Sequence, residues 1–221
     1  MPLVIAMDGP SGSGKSSASK GVARALGLRY LDTGAMYRAM TWWMLQKGVP
    51  VDDPAAVAAR AGEPEIVSGT DPDAPAITVD GVDVAGPIRT REVTNAVSAV
   101  SSVPEVRERL VALQREIIGD GGIVVEGRDI GTVVAPDAAV KVYLTASEEV
   151  RAARRAKELA HDPSVSVTLT QAEQARRDRL DSTRAASPLT KAGDAVEIDS
   201  SELGLDEVIE AVLRLAKASS D

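Results

Sequence analysis

The chain has 221 residues, of which 44% are apolar, and a formal charge of −8 at pH 7. That length and apolar share support one packed domain with appendages and exclude a disordered composition, while the acidic balance argues against a broad nucleic-acid surface. There is no Cys and no Phe, so disulfides and thiolate metal sites are excluded and the core must be built from aliphatic residues and Met.

Leu3–Met7 reads as a short buried strand. It runs into Gly9-Pro10-Ser11-Gly12-Ser13-Gly14-Lys15-Ser16, which fits the pattern G-x-x-x-x-G-K-[ST] without a mismatch. Ala18, Val22, Ala25 and Leu26 then recur at helical spacing, with Gly27 as the stop. Strand, glycine loop and helix are what a triphosphate requires. Loop N–H groups and the positive helix end surround the anion. Lys15 reaches the β- and γ-phosphates, and the Ser16 hydroxyl is a ligand for Mg²⁺.

A second strand, Leu28–Leu31, leads into Asp32–Arg38. Thr33 is read as the cap of a helix whose buried stripe is Met36, Met40, Trp43 and Met44. Trp42 and Trp43 are assigned to the core. Asp53-Pro54 opens a further short helix. From 62 to 87 the period changes to two: Ile77, Val79, Val82 and Val84 flank Asp80-Gly81, a hairpin signal outside the main sheet. Helices follow up to about Ser102 and after Pro104.

Ile123–Glu126 is a continuous apolar strand, Val140–Leu144 a fourth and Ala195–Asp199 a fifth. Ser147 reads as the N-cap of a helix carrying Arg151, Arg154 and Arg155. A segment with His161 and Pro163 breaks it, and a helix from about Thr170 to Arg184 brings Arg176, Arg177, Arg179 and Arg184. His161 is assigned no catalytic duty. The last helix is read with Leu205, Val208, Ile209, Val212, Leu213 and Ala216 facing inward.

Alternation of strands and helices gives an α/β fold: a three-layer P-loop core with a five-stranded parallel sheet, a β-containing insert and a small helical lid. Ligands in such folds bind beyond the carboxyl ends of the strands, so the Gly9–Ser16 loop, Asp32–Arg38 and Glu126–Asp129 are expected to share one crevice. Glu126 ends a core strand, where a carboxylate orients Mg²⁺ or its waters, or holds a polar substrate. Arg128 fits a bidentate phosphate contact, and fits a surface ion pair. Each single arginine of the later set fits a solvated helix face paired to Glu158, Glu173 or Asp178; the set together reads as a closing lid. The P-loop alone leaves kinases, GTPases and other NTPases open, although no Asn-Lys-x-Asp motif is present for reading guanine.

Five stretches in this order closely resemble bacterial cytidylate kinase of the nucleoside monophosphate kinase family: the Gly9–Ser16 loop, Leu31–Arg38, Ile88–Val93, Gly127–Val134 and Arg184–Leu189. The likeness runs from about Leu3 to Leu215, and the insert at 62–87 is similar to an extension of the family's monophosphate-binding domain. The resemblance implies transfer of the γ-phosphoryl group of ATP to CMP or dCMP with Mg²⁺, in a cytoplasmic monomer that binds neither nucleic acid nor membrane. It implies a core over about 1–32, 103–150 and 185–221, a monophosphate-binding domain over 33–102 and a lid over 151–184. ATP is expected against Gly9, Pro10, Ser11, Gly12, Ser13, Gly14, Lys15, Ser16 and Ser17, with Arg154. The monophosphate is expected against Thr33, Tyr37, Arg38, Arg128, Arg177, Asp181 and Arg184, with Ser98, Arg107 and Asp129 at the cytosine edge. Lys15, Arg128, Arg177 and Arg184 are the expected catalytic groups. Where this chain has Glu126 the family usually has Asp, which moves the charge outward by a methylene.

Overall fold

The structure is a computed structural model and describes residues 2–158 and 167–219. His161 and most of the proposed lid hinge lie outside the described residues. In chain order the elements are β1 (Val4–Asp8), α1 (Lys15–Leu26), β2 (Arg29–Asp32), α2 (Thr33–Gln46), α3 (Pro54–Arg60), β3 (Ile66–Ser68), β4 (Ile77–Val79) and β5 (Val82–Asp83). A 3₁₀ turn at Pro87–Arg89 precedes α4 (Arg91–Ser101), α5 (Pro104–Ile118) and β6 (Ile123–Gly127). A π-helical turn at Ile130–Val134 is followed by β7 (Val140–Thr145), α6 (Glu148–Glu158), α7 (Val167–Thr183), β8 (Val196–Asp199) and α8 (Leu205–Ala218).

Among the described residues, β2-β6-β1-β7-β8 form a five-stranded sheet whose neighbours all pair parallel. Successive side chains of a strand point to opposite faces. Leu31, Ala6, Ile123 and Val125 therefore enter the core shared with α2, α4 and α5. Ile5, Met7, Tyr30, Val124 and Leu144 enter the opposite core, under α1 and α8. Both faces are covered, giving three layers. Among the described residues no helix is long and apolar enough to cross a membrane.

Register sets the site. Asp8 lies opposite Gly127, and Asp32 opposite Glu126. The carboxyl ends of β1, β2 and β6 thus stop at one level, and their following loops open on one side.

Several local readings change. Asp32, not Thr33, caps α2: its carboxylate accepts from Ala35 N at 2.9 Å. That frees the Thr33 hydroxyl to donate to Glu126 O at 2.7 Å, tying α2 to β6. On α1 the inward stripe is Lys15, Ala18, Ser19, Val22 and Ala23, spaced i, i+3, i+4, i+7, i+8, whereas Ala25 and Leu26 in the last turn are exposed. Small residues let α1 approach α8: a Cβ on Gly21 would stand 2.2 Å from Ile209 Cδ1. Leu205 opens α8 at the surface rather than in the core. Met36, Met40 and Met44 are fully buried, Trp43 nearly so, and Trp42 packs half-buried beside them.

The hairpin forms at Asp80-Gly81, both in the left-handed region at φ 50° and 78°, as a tight two-residue turn demands. Ile66–Ser68 adds a third antiparallel strand, one too short to leave a period in the sequence. The turn is pinned to α2 by Trp43 Nε1 donating to Asp80 Oδ2 at 2.8 Å.

Candidate active site

The crevice opens where register predicts. It is lined by the P-loop, the start of α2, the end of β6 and the inner faces of α4, α5 and α7.

The loop itself is held open by backbone geometry. Gly12 and Gly14 sit at φ 78° and 92°, conformations that disfavour side chains. Ser11, Gly12, Gly14, Lys15, Ser16 and Ser17 line the crevice; Gly9, Pro10 and Ser13 form the turn behind them. Lys15 folds back over the loop and donates to Pro10 O at 2.7 Å. Burial, then the nearby Arg128 charge, pulls its ammonium down to about 8.

Ser16 Oγ donates to Glu126 Oε2 at 3.0 Å. The other oxygen of that carboxylate accepts the phenol of Tyr30, which comes up from the α1 side of the sheet. Burial first, then the Asp32 charge, pushes Glu126 up to about 7, against the pull of Lys15, Tyr30 and Ser16. Ser16 and Glu126 offer hard oxygen donors side by side. They fit Mg²⁺ held mainly by substrate phosphates and water, and no cluster of three His, Asp or Glu metal ligands occurs among the described residues.

The opposite half carries the guanidinium groups. Arg38 on α2 donates to Ile88 O at 3.1 Å and Thr94 Oγ1 at 2.9 Å. Burial, then the charges of Arg177, Arg89 and Arg155, pulls it well below the ordinary arginine range. Arg177 and Arg184 are each held down to about 10, by burial first and then by Arg128 and Arg107 respectively. Arg128 goes the other way. Burial lowers it, but the carboxylates of Asp181 and Asp178 outweigh burial, and Asp181 pairs with its Nε. Asp181 also accepts from Ser98 Oγ at 3.3 Å and lies 3.7 Å from Arg184. Three guanidinium groups hold its carboxyl below the ordinary value despite burial.

At the far end, Arg107 Nη2 donates to Asp129 Oδ2 at 2.5 Å and its Nη1 to Ser101 O at 3.0 Å. The Arg107 guanidinium lies 4.8 Å from the Tyr37 ring centre. Ser98 lines the crevice beside this pair. Thr33, Tyr37, Arg38, Ser98, Arg107, Arg128, Asp129, Arg177, Asp181 and Arg184, drawn from α2, α4, α5, the β6 loop and the α7 region, all line the one crevice.

The arginine set divides. Arg155, Arg177 and Arg184 face the crevice. Arg151 is buried in an ion pair with Asp178 and donates to Ser11 O at 3.0 Å, so it braces the loop from outside. Arg154 does the same, donating to Ser13 O at 3.3 Å and Ser200 Oγ at 2.9 Å, and does not line the crevice. Arg176 and Arg179 are exposed. Three participants carry no sequence expectation. Asp8 accepts from Ile130 N at 2.8 Å and Gly131 N at 2.7 Å, fixing the β6 loop to β1. Arg89 pairs with Asp32 at the rim, at 3.1 Å. Tyr30 reaches Glu126; an aromatic residue in a chain with few of them was its only signal.

Comparison with known proteins bears on the family and the fold. A sequence model of the family described as Cytidylate kinase matches residues 5–218. The chain is 60% identical to a cytidylate kinase of Streptomyces avermitilis over 97% of this chain and 93% of that one. It is 62% identical to a cytidylate kinase of Streptomyces coelicolor over the same shares. Among solved structures, shikimate kinase from Acinetobacter baumannii in complex with shikimate shares the fold, with a TM-score of 0.50 at 14% identity over 99% of this chain and 94% of that one.

Proposed function

Given that the chain belongs to the cytidylate kinase family and is thus a nucleoside monophosphate kinase, we propose that it transfers the γ-phosphoryl group of ATP to CMP or dCMP, releasing ADP and CDP or dCDP. The observation that carries this reading is the crowding of Arg38, Arg177 and Arg184 in a cleft facing the P-loop, where burial first, and then repulsion from neighbouring guanidinium groups, holds each below its ordinary range. Such mutual repulsion is relieved by polyanions, and two nucleotides laid end to end supply them.

The P-loop N–H groups and Lys15 take the β- and γ-phosphates. Ser16, with Glu126 through water, would hold Mg²⁺, which when bound neutralises charge on those phosphates. Thr33, Tyr37 and Arg38 line the acceptor phosphate site. An acceptor phosphate oxygen attacks Pγ as the bond from Pγ to the β-bridging oxygen breaks; no covalent enzyme intermediate is required. Arg128, Arg177 and Arg184 face the transferring group and stabilise its spread charge. Asp181 faces the sugar hydroxyls.

Asp129 accepts from the cytosine amine, and Arg107 and Ser98 donate to its ring nitrogen and carbonyl. Uracil presents an acceptor where Asp129 needs a donor, so a buried carboxylate oxygen faces another acceptor with no proton between them. The stretch about 151–184 acts as a lid that closes over ATP, and its α7 meets the monophosphate-binding stretch where Arg91 of α4 bonds Glu173 at 2.7 Å. We read the protein as a cytoplasmic monomer.

The test is ADP release from ATP across a panel of monophosphates and without any. CMP and dCMP are expected to exceed UMP in kcat/KM by well over ~10-fold. Equal values for UMP and CMP, or ADP release independent of the monophosphate, overturn the reading.

A further inference from the structure

Glu126 differs from the shorter acidic residue that the family resemblance leads one to expect, and the structure shows what the added methylene meets. Its Oε1 accepts from the Tyr30 hydroxyl, and its Oε2 accepts from Ser16 Oγ at 3.0 Å. The three residues come from adjoining elements: Glu126 from β6, Tyr30 from its parallel neighbour β2, and Ser16 from the first turn of α1. Tyr30 is 1% exposed, packed in the aliphatic cluster beneath α1. Lys20 lies 5.6 Å from its ring centre. The ring is packed within this cluster, and its phenol ends at the carboxylate.

A glutamate side chain has three torsions, one more than aspartate. Left alone at the floor of a cleft, its carboxylate would sample several orientations, of which few face Ser16. A donor fixed at Oε1 removes that freedom. We infer that Tyr30 is a positioning residue, and that its hydroxyl holds the Glu126 carboxylate with Oε2 toward Ser16, so that the pair presents a set of oxygen donors to the divalent cation of the nucleotide. Tyr30 does not line the crevice, and it acts through Glu126.

This inference rests on the kinase reading, so the intact protein is first assayed for CMP-dependent ADP release; its failure there would strike that reading and not this one. The probe is Mn²⁺ alone, titrated by the electron-paramagnetic signal of the free ion into protein saturated with ADP and CMP. Tyr30→Phe removes only the hydroxyl. It is expected to weaken Mn²⁺ binding about 10-fold, at the low end of the range for outer-sphere partners of a metal site, with KM for CMP unchanged. In the Glu126→Asp background the carboxylate withdraws from the phenol, and Tyr30→Phe is expected to have no effect on Mn²⁺ binding, a non-additive cycle. Tyr30→Leu, which also lacks the hydroxyl but suits the aliphatic surroundings, is the second variant should the phenylalanine protein fold poorly; the same loss is expected. Mn²⁺ affinity unchanged in the Phe or Leu variant, or an equal loss in both backgrounds, overturns the inference.

Discussion

Arg107 and Asp129 are joined across 2.5 Å with side chains only 4% and 3% exposed. A pair sealed this far from water contributes little net stability while intact, because desolvation offsets attraction. Breaking it is another matter. Asp129→Asn leaves a buried guanidinium without its counter-charge, at about 3 kcal/mol. Two effects are expected together: a lowered melting temperature, and a CMP-over-UMP preference in kcat/KM that narrows by at least ~10-fold. Calorimetry and a coupled ADP assay with both monophosphates check them.

Lys15 shows the opposite balance. Its folded-state pKa, about 8, is below the ordinary 10.5, so folding disfavours its charge at neutral pH. Lys15→Ala is expected to lose at least ~100-fold in kcat, since a charge facing the transferred group is gone. Its melting temperature at pH 7 is expected to be no lower than that of the native chain. Near-normal turnover, or a marked loss of stability, would contradict this.

Gly9 is at φ 149°, and a Cβ there would fall 2.0 Å from the Leu144 carbonyl oxygen. Backbone on the neighbouring strand has no room to retreat. Gly9→Ala is expected to separate β1 from β7 at the mouth of the loop, with both stability and ATP binding lost. Gly48→Ala is the comparison for positive φ without a clash: nothing lies within 4 Å of its added Cβ, and a smaller loss of stability is expected. Chemical denaturation of the two variants makes the measurement.

Asp8 gives a pH dependence. Burial raises its carboxyl to about 6 despite two backbone donors, against 3.8 in the ordinary state. A folded-state value above the unfolded one means that the protonated form is favoured by folding. The stabilising contribution is therefore complete below about pH 4 and is lost as pH rises to about 6. Relative to Asp8→Asn, which does not titrate, the native chain is expected to lose about 3 kcal/mol across that window and to change little above it. A pH series of denaturant midpoints for the two proteins tests the sign; native stability that rises relative to Asp8→Asn between about pH 4 and 6 would refute it.

The main sheet was legible because β1 and β6 begin as continuous apolar runs and β7 and β8 alternate apolar with polar residues, each closed by a turn or a helix start. The crevice was legible because parallel strands end together, which placed the P-loop, Asp32–Arg38 and Glu126–Asp129 side by side; the roles of Ser98, Arg107, Arg177, Asp181 and Arg184 came from the family resemblance. Less could be read where side chains compete. Asp32 and Thr33 are both good caps, and only the position of Glu126 O decides that the threonine hydroxyl goes to β6. Arg151, Arg154 and Arg155 look alike in sequence, yet a helical turn sends two to the outside of the loop and one into the crevice. The partnership of Tyr30 with Glu126 depends on parallel register between β2 and β6, which periodicity does not encode.

Both tryptophans of the chain are neighbours on α2, the helix that also carries Tyr37 and Arg38. Trp43 is bonded to the hairpin turn through Asp80, while Trp42 keeps partial access to water. The protein thus comes with its own optical gauge. Ultraviolet emission reports on one flank of the acceptor pocket and is silent about the rest, so docking or release of the hairpin is readable without attaching a dye.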